Sequence, residues 1–390
     1  MPFPRDATYD AIVVGAGPAG AHLAYLLARA GRRVALLDKQ RFPRDKVCGG
    51  GLSRKSVALL DLDLAALAHH WISGAYLTFQ NRATVIKDLR SAAGCTVLRS
   101  EFDQALLARA CEAGAQHFGE TTFLDLRESG AGIAARTSRG ELRGRRLFAA
   151  DGVGSAVRAK VFGRQLVSYV PALEALVDLP ESALSGFRDR VVFDFGGMPR
   201  GYGWIFPKRD HLNVGVYSPF GGSALRLQLD RFMDCYPALR RRRSIEYRGY
   251  AIPLRNEAQL FERGRVALLG DAAGLAECLF GEGIYFALKS AALAAQTELD
   301  RDRGANATSY TQLLRSELLP ELRAARLLAK ALYRFQRYAF RHAVCNDRIN
   351  RLFAGLISGD VGYRECLRKT VLAAPKWMAR SAPAVDAVIA

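Results

Sequence analysis

Three glycines near the start of the chain have the spacing Gly15-x-Gly17-x-x-Gly20. Gly15 can form a tight turn, Gly17 lets the backbone approach a pyrophosphate, and Gly20 allows a helix to pack closely against a strand. Asp38 lies 23 positions after Gly15, where a carboxylate can accept hydrogen bonds from a ribose. These residues predict a dinucleotide site, and the alternative is a glycine-rich turn that binds nothing.

The segments around the glycines have the order that such a site requires. Residues 10–14 form an apolar, β-branched run, residues 21–30 are rich in Ala and Leu, and residues 33–38 form a second apolar run. A strand, a turn, a helix and a second strand are therefore predicted, with the amino-terminal end of the helix facing the negative charge of a ligand. This βαβ unit indicates an α/β fold.

Two more glycine-rich segments follow. Residues 49–51 are all glycine and come directly after Cys48, which predicts backbone pressed against a flat or bulky ligand. Residues 265–274 have the pattern of a buried strand that ends in a Gly-Asp turn, and residues 281–284 (Gly-Glu-Gly-Ile) lead into a predicted helix at 285–299. The amides at the start of that helix can face an anion or a carbonyl oxygen.

Together these motifs resemble those of FAD-dependent oxidoreductases with the para-hydroxybenzoate-hydroxylase-like fold. The motifs that carry the resemblance are Gly15–Gly20 with Asp38, Arg44-x-Lys46-x-Cys48-Gly-Gly-Gly, Arg99-x-x-Phe-Asp103, Asp151-Gly152-x-x-Ser155-x-x-Arg158 and Gly270-Asp271. Within that superfamily the chain resembles the geranylgeranyl reductase family, on the motifs Tyr202-x-Trp204-x-Phe206-Pro207, Val214-Gly215 and Gly281-Glu282-Gly283-Ile284. The resemblance implies an α/β fold in which a Rossmann-type FAD-binding domain carries an inserted antiparallel β-sheet substrate domain and a C-terminal helical region.

The resemblance also implies FAD as the cofactor, with contacts along the whole chain. The implied contacts are Gly15, Gly17, Pro18, Ala19, Gly20, Asp38, Lys39, Cys48, Gly49, Gly51, Arg99, Phe123, Asp271, Gly281, Gly283 and Ile284. Arg99 would lie near the pyrophosphate, Asp271 would bond the ribityl chain, and Cys48 would lie beside the isoalloxazine ring. A packing or turn role is the alternative for each position. The reductant stays open between NAD(P)H and a reduced electron carrier.

The expected substrate contacts are Tyr202, Trp204 and Phe206, which alternate along a predicted strand and so face one side of it. They would roof an apolar cavity, and ordinary core packing is the alternative. Cys278 and Phe280 are departures, because members of the family have proline and threonine at these positions. An aromatic side chain beside the flavin would narrow or reshape a substrate tunnel.

The function implied by the resemblance is reduction of C=C bonds in an isoprenoid, geranylgeranyl-type chain by hydride transfer from reduced FAD. The partner is then an apolar prenyl-type substrate, and an electron-donor protein is left open as another. Cys48 is the candidate proton donor or flavin tuner, and its alternative is a small buried hydrophobe. Two other functions on this fold stay open: a monooxygenase that hydroxylates an aromatic or apolar substrate, and a flavin electron-transfer or assembly protein.

The order of the motifs and the changing sequence pattern predict four segments. Residues 1–164 form the first part of the FAD-binding domain, residues 165–255 a mainly antiparallel substrate domain with short β-prone runs between Gly and Pro turns, residues 256–300 the last FAD-binding segment, and residues 301–390 a C-terminal helical region.

The chain carries 56 Lys and Arg residues against 38 Asp and Glu, a formal net charge of +18. Part of this excess lies on one sector of a helix predicted over residues 318–341, beside an apolar face. The basic residues of that sector are Arg323, Arg326, Lys330, Arg334, Arg337 and Arg341. They favour an anionic membrane surface as a partner, and a solvated face is the alternative. No nucleic-acid motif accompanies them, so nucleic acid is not expected.

Several classes of site are excluded by the remaining residues. The 7 cysteines include no CxxC pair, which argues against dithiol chemistry, zinc ribbons and a disulfide framework. The 6 histidines form no cluster with ligand spacing, so a metal site is not expected. The first residues lack a charged-then-apolar leader and no apolar run spans a bilayer, so a cytoplasmic location is expected, with peripheral attachment to a membrane left open.

Overall fold

The computed structural model describes residues 8–88, 94–163, 167–221, 224–255, 260–302, 308–341 and 347–378. The strands are β1 Thr8–Val14, β2 Val34–Leu37, β3 Gly51–Ser53, β4 His70–Ile72, β5 Gly74–Phe79, β6 Ala83–Asp88, β7 Gly94–Thr96, β8 Gln116–Phe118, β9 Phe123–Ser129, β10 Gly132–Thr137, β11 Gly140–Ala149, β12 Val167–Asp178, β13 Arg190–Asp194, β14 Tyr202–Pro207, β15 His211–Tyr217, β16 Ser244–Arg255, β17 Glu262–Arg263 and β18 Val266–Leu268. The helices are α1 Pro18–Arg29, α2 Arg54–Val57, α3 Arg99–Glu112, α4 Ala156–Val161, α5 Glu181–Leu184, α6 Leu225–Asp234, α7 Ile284–Asp302, α8 Tyr310–Leu313, α9 Leu319–Arg334, α10 Gln336–Ala339, α11 Asp347–Ser358 and α12 Tyr363–Met378.

The first sheet has the order β17-β18-β11-β1-β2-β8, and β9 and β10 extend it as an antiparallel pair beside β11. The strands β8, β2, β1, β11 and β18 run parallel. Ile12 and Val13 point to opposite faces of β1 and both are fully buried, which explains the unbroken apolar run, since parallel strands are covered on both faces. Helix α1 packs against α3 and α7. The expected Rossmann-type α/β unit is confirmed.

The second sheet has the order β16-β12-β15-β14-β13-β5-β6 and is antiparallel except where β5 meets β13. The β-prone runs at 190–195, 203–206 and 212–217 form β13, β14 and β15. However, β5 and β6 are formed by residues 74–88, which lie inside the segment expected to belong to the FAD-binding domain. They are part of the second sheet because β5 pairs with β13, a strand more than 100 positions later in the chain. The four predicted segments stay a prediction, and residues 164 and 165, where two of them meet, lie outside the described residues.

The C-terminal region is helical where the structure describes it, but the single helix expected over residues 318–341 is wrong. A π-helical turn at Leu314–Leu318 leads into α9. The helix is interrupted at Phe335, and α10 follows. The break accompanies contacts of Gln336, whose Nε2 lies within hydrogen-bonding distance of three carbonyl oxygens in the turn between β13 and β14, those of Phe195 (2.9 Å), Met198 (2.9 Å) and Gly201 (2.6 Å). Among the described residues no helix is long and apolar enough to cross a bilayer.

Candidate active site

One cavity of about 820 Å³ is lined by residues of the first and second sheets and of a small third sheet of the order β3-β7-β4. Its walls include all the expected cofactor and substrate residues except Gly20. A Cβ atom on Gly20 would lie 1.8 Å from the Gly15 carbonyl oxygen, so this glycine lets α1 pack against the turn, as its place in the motif predicts. Residues from positions 14 to 363 therefore meet in one site.

The glycine turn leaves backbone amides facing this cavity. Gly15 has φ +102°, and a Cβ atom there would lie 2.3 Å from the Ala150 carbonyl oxygen. Helix α1 begins directly after Gly17 with no side chain capping its first amides, so they are available to an anion. The buried Asp38 carboxylate accepts hydrogen bonds from the N–H groups of Ala16 (2.8 Å) and Gln40 (2.9 Å). The turn and the acid thus form one preorganised cradle that fits the ADP half of a dinucleotide.

Two arginines share one buried carboxylate at the next wall. Arg99 donates from Nε and Nη2 to the Asp103 carboxylate, both at 2.8 Å, and Arg44 Nη2 lies 3.1 Å from the same group. Asp103 is fully buried, and both arginines line the cavity. Two positive charges against one negative charge leave a net positive wall, which suits a pyrophosphate. Arg44 belongs to the Arg44-x-Lys46-x-Cys48 motif, but it is not one of the contacts that the sequence predicts.

Lys46 and Asp271 contribute opposite charges to the same wall. Burial lowers the pKa of Lys46 to about 8, and the negative charge of Asp271 opposes that shift. The Lys46 Nζ lies 3.2 Å from the centre of the Tyr250 ring, a cation–π contact. Lys46 was likewise not among the expected contacts, although it lies in the same motif as Cys48.

The Gly-Gly-Gly loop packs against the aromatic strand β14. Cβ atoms on Gly49 and Gly51 would lie 3.2 Å and 3.1 Å from the Phe206 ring. The loop is held from beneath by the buried Lys208, whose Nζ donates to the carbonyl oxygens of Gly49 and Val97, both at 2.8 Å. Burial lowers the pKa of Lys208 to about 8. The glycines therefore allow close packing against the ring, and Lys208 fixes the loop that carries Cys48.

Glu174 lies beside this loop and lines the cavity. Burial raises the pKa of the Glu174 carboxyl group, against hydrogen bonds from Asn213 and the Cys48 backbone. The Trp204 Nε1 donates to Asn213 Oδ1 at 2.8 Å. Glu174 and Asn213 thus connect the aromatic strand to the Cys48 loop, and neither has a sequence motif that would have identified it.

The expected substrate residues form an aromatic wall together with Phe193 and Phe280. Tyr202 and Trp204 are buried, with ring centres 6.0 Å apart, and both line the cavity with Phe206. The Phe280 ring centre lies 5.8 Å from that of Phe193 and 6.3 Å from that of Tyr202. Phe280, the departure noted in the sequence, therefore belongs to this wall, whereas Cys278 does not line the cavity.

The Asp151–Arg158 motif contributes Asp151 and Gly152 to the cavity wall, and its Arg158 supports the site from behind that wall. The buried Arg158 donates from Nη1 to the Ala272 carbonyl oxygen at 2.8 Å and from Nη2 to the Val153 carbonyl oxygen at 2.6 Å. Asp151 Oδ2 accepts a bond from the Ala156 N–H at 2.7 Å. Arg158 thereby fastens the turn that carries Asp271 to the loop after β11.

Glu277 stabilises the loop that contains the Gly281-Glu282-Gly283 segment. Its fully buried carboxylate accepts bonds from the N–H groups of Leu279 and Phe280, both at 2.6 Å, and of Glu282 at 3.0 Å. Burial raises the pKa of Glu277 to about 7. The Glu277 side chain thus fixes the conformation of the loop that carries Phe280 and leads into α7.

A parallel sheet with a glycine cradle and an acid at its carboxyl edge, a positive wall and an aromatic chamber define an FAD-dependent oxidoreductase. The sequence profile of the FAD binding domain family matches residues 8–167. The geranylgeranyl diphosphate reductase of Rhodobacter capsulatus is 30% identical over 75% of each chain, and the digeranylgeranylglycerophospholipid reductase of Thermoplasma volcanium is 28% identical over 74% of this chain and 77% of that protein.

Among solved structures, a geranylgeranyl bacteriochlorophyll reductase-like protein from Thermoplasma acidophilum has the same fold. The TM-score is 0.75 at 22% identity, covering 95% of this chain and 98% of that one. On its similarity to the Rhodobacter reductase, the chain belongs to the geranylgeranyl reductase family.

Proposed function

We propose that this protein reduces C=C bonds of an isoprenoid, geranylgeranyl-type chain. The observation that carries the proposal is one cavity with a nucleotide cradle on one side and an aromatic wall on the other. Similarity to a geranylgeranyl diphosphate reductase and a digeranylgeranylglycerophospholipid reductase supports this substrate class.

The cavity residues fit FAD from end to end. Gly15, Gly17 and Asp38 would hold the ADP half, the Arg44–Arg99 wall would face the pyrophosphate, and Asp271 would bond the ribityl chain. Apart from Gly20, the other expected contacts, among them Pro18, Ala19, Lys39, Phe123 and Gly281, line the same cavity. Gly283 and Ile284 would offer amides at the start of α7, where the helix dipole stabilises negative charge on the flavin. Bound and reduced, FAD supplies a hydride.

The aromatic wall would hold the prenyl chain and exclude water from it. An unactivated alkene accepts a hydride poorly, so alignment and a dry chamber have to supply much of the rate. Tyr202, Trp204 and Phe206 suit this task because their rings are large and rigid. The Tyr202 hydroxyl donates to the Phe280 carbonyl oxygen at 2.6 Å, so it presents an apolar ring to the chamber with its polar end satisfied.

The second hydrogen of the reduction arrives as a proton, and two side chains of the cavity are our candidates for its donor. Cys48 is our proposed donor, on a loop fixed by Lys208. Glu174 is the other candidate, because burial raises the pKa of its carboxyl group and keeps it protonated at higher pH. Both groups line the cavity.

The test is an anaerobic incubation of the photoreduced, FAD-loaded protein with a panel of prenyl diphosphates, prenyl phospholipids and prenyl quinones, read by mass spectrometry. We expect one member to gain H₂ for each bond reduced while the flavin is reoxidised. If no member gains mass, the proposal fails. Rapid, substrate-stimulated O₂ consumption with NAD(P)H would favour the monooxygenase, and reoxidation only by a protein partner would favour electron transfer.

The proposal also includes the reductant and the surface at which the protein acts. NAD(P)H and a reduced carrier protein are the two reductants to be tested by flavin absorbance. A lipid-chain substrate places the protein at an anionic membrane surface, which the exposed residues Arg323, Lys330, Arg334, Arg337 and Arg341 suit. Three apolar side chains on the same stretch are also exposed, Leu327 at 53%, Phe335 at 59% and Tyr338 at 51%, and could enter the headgroup layer.

A further inference from the structure

A second cavity of about 380 Å³ lies behind the loop that follows β18. Ala276 lines both cavities, whereas Leu254 and Cys278 line only the second. Leu254 pairs with Leu275 through an isolated β-bridge, so part of the wall between the two cavities is secondary structure. The volume falls within the range of small-molecule sites.

The lining divides into an apolar part and a strongly basic part. The uncharged residues are Leu254, Gly274, Ala276, Cys278, Leu319 and Leu322, and the charged residues are Arg255, Arg315, Arg323 and Arg326. The arginines come from separate elements, since Arg255 ends β16, Arg315 lies in the π-helical turn, and Arg323 and Arg326 lie on α9. No carboxylate of the described residues lines the cavity.

The positive charges at this cavity have no negative partner among the residues that the structure describes. Arg255 donates only to carbonyl oxygens, of Ala273 at 2.9 Å and Leu260 at 3.1 Å. Arg315, Arg323 and Arg326 form no ion pair within the described ranges. The two acids on the same helical stretch are engaged elsewhere: Glu317 lies 2.7 Å from Lys289 Nζ, and Glu321 accepts bonds from backbone N–H groups at the start of α12.

We propose that this second cavity binds a phosphate or diphosphate group that carries an apolar stem. Several guanidinium groups around one space repel each other, and a bound anion removes that repulsion while accepting paired hydrogen bonds from each fork. The stem would lie against Leu254, Leu319 and Leu322. The site is separate from the cradle at Gly15–Gly20, and it does not depend on the proposed alkene reduction.

The test is calorimetric titration of the FAD-loaded holoprotein, so that the main nucleotide site is already filled. Inorganic diphosphate is the first probe, and monomeric dihexanoylphosphatidylglycerol is the second. The cavity variant is Arg315→Gln with Arg323→Gln. Its control is Arg334→Gln with Arg337→Gln, which removes the same charge from exposed positions that do not line the cavity.

We expect diphosphate binding to weaken about tenfold or more in the cavity variant and to change less than about twofold in the control, because distant exposed charges are screened. Binding of the lipid alone, lost in the same variant, would identify a headgroup as the source of the phosphate. Equal losses in both variants, or no binding of either probe, would overturn the proposal. Flavin content and unfolding midpoint verify the fold, and the single Arg323→Gln variant replaces the pair if the pair does not fold.

Discussion

At the scale of single residues, the buried ammonium group of Lys208, which holds the Cys48 loop, makes the free energy of unfolding depend on pH. Its pKa is about 8 in the folded protein against an ordinary 10.5. Between these values the unfolded chain binds more protons, so the free energy of unfolding rises with pH across that window. We expect Lys208→Met to remove up to about 3 kcal/mol of this rise. Urea unfolding at pH 8 and pH 10.5 measures it.

The control for Lys208 is Lys160→Met, because the Lys160 side chain is 52% exposed and pairs only at the surface. Its pH slope should match that of the wild type. If the pH slope of stability in Lys208→Met equals the slopes of the wild type and of Lys160→Met, the buried ammonium group is not desolvated as the structure indicates.

The proton donor can be assigned with two variants of the cavity. We expect Cys48→Ala to slow single-turnover alkene reduction about a hundredfold, the usual effect of losing a general acid. Glu174→Gln is compared with it, and Cys366→Ala, a buried thiol that does not line the cavity, is the control. Full activity in Cys48→Ala would contradict a catalytic role, and a loss confined to Glu174→Gln would transfer that role to the carboxyl group.

Phe280 should determine which chains fit. Phe280→Thr removes a ring from the aromatic wall, so the kcat/KM ratio of a bulky to a slim prenyl substrate should rise about tenfold. Phe353→Thr is the matched control, since the Phe353 ring packs 6.4 Å from that of Phe280 but does not line the cavity. Equal changes in both variants would show that general packing, and not the wall, sets the preference.

Sequence alone predicted the residues with local patterns and missed those with distant partners. Gly15 and Asp38 have a fixed spacing, and the alternation of Tyr202, Trp204 and Phe206 places them on one face of β14. Lys208 has no such pattern, because its two acceptors are 159 and 111 positions away. In the sequence Glu174 is a polar residue of a strand with no motif around it. Only the fold brings it beside Cys48.

At the scale of elements, the break between α9 and α10 fixes the C-terminal helices to the second sheet. Besides the contacts of its Nε2 with three carbonyl oxygens, the Gln336 side chain accepts a hydrogen bond from the Arg200 N–H at 3.0 Å. Gln336→Ala would leave these backbone groups without a partner, so we expect the free energy of unfolding to fall by about 2 kcal/mol. Urea unfolding measures the change.

Gln296→Ala is the control for that variant, since Gln296 is exposed on α7 and should change stability little. If both variants behave alike, the hydrogen bonds at the break do not stabilise the fold. The periodicity of residues 318–341 could not reveal this break, because the turn at 195–201 that accepts the bonds lies in another part of the sequence.

At the scale of the whole molecule, the charge of +18 should give salt-sensitive binding to anionic vesicles. We expect the triple variant Lys330→Glu, Arg334→Glu, Arg337→Glu to weaken binding to phosphatidylglycerol vesicles about a hundredfold at low ionic strength. Cosedimentation measures it. Reversal of Arg240, Arg241 and Arg243, an equal change in charge on an exposed segment elsewhere, should have a smaller effect. Equal effects would assign the binding to net charge alone.

The pairing of β5 with β13 has a consequence for how the chain folds during synthesis. Gly74 lies opposite Arg190, 116 positions later in the chain. At a synthesis rate of roughly 5–20 residues per second, the ribosome needs about 6 to 23 s to make this partner. Until then the hairpin of β5 and β6 presents unpaired backbone that can join a neighbouring nascent chain. Yield in the cell should therefore depend on what shields this hairpin as it emerges, before any flavin can bind.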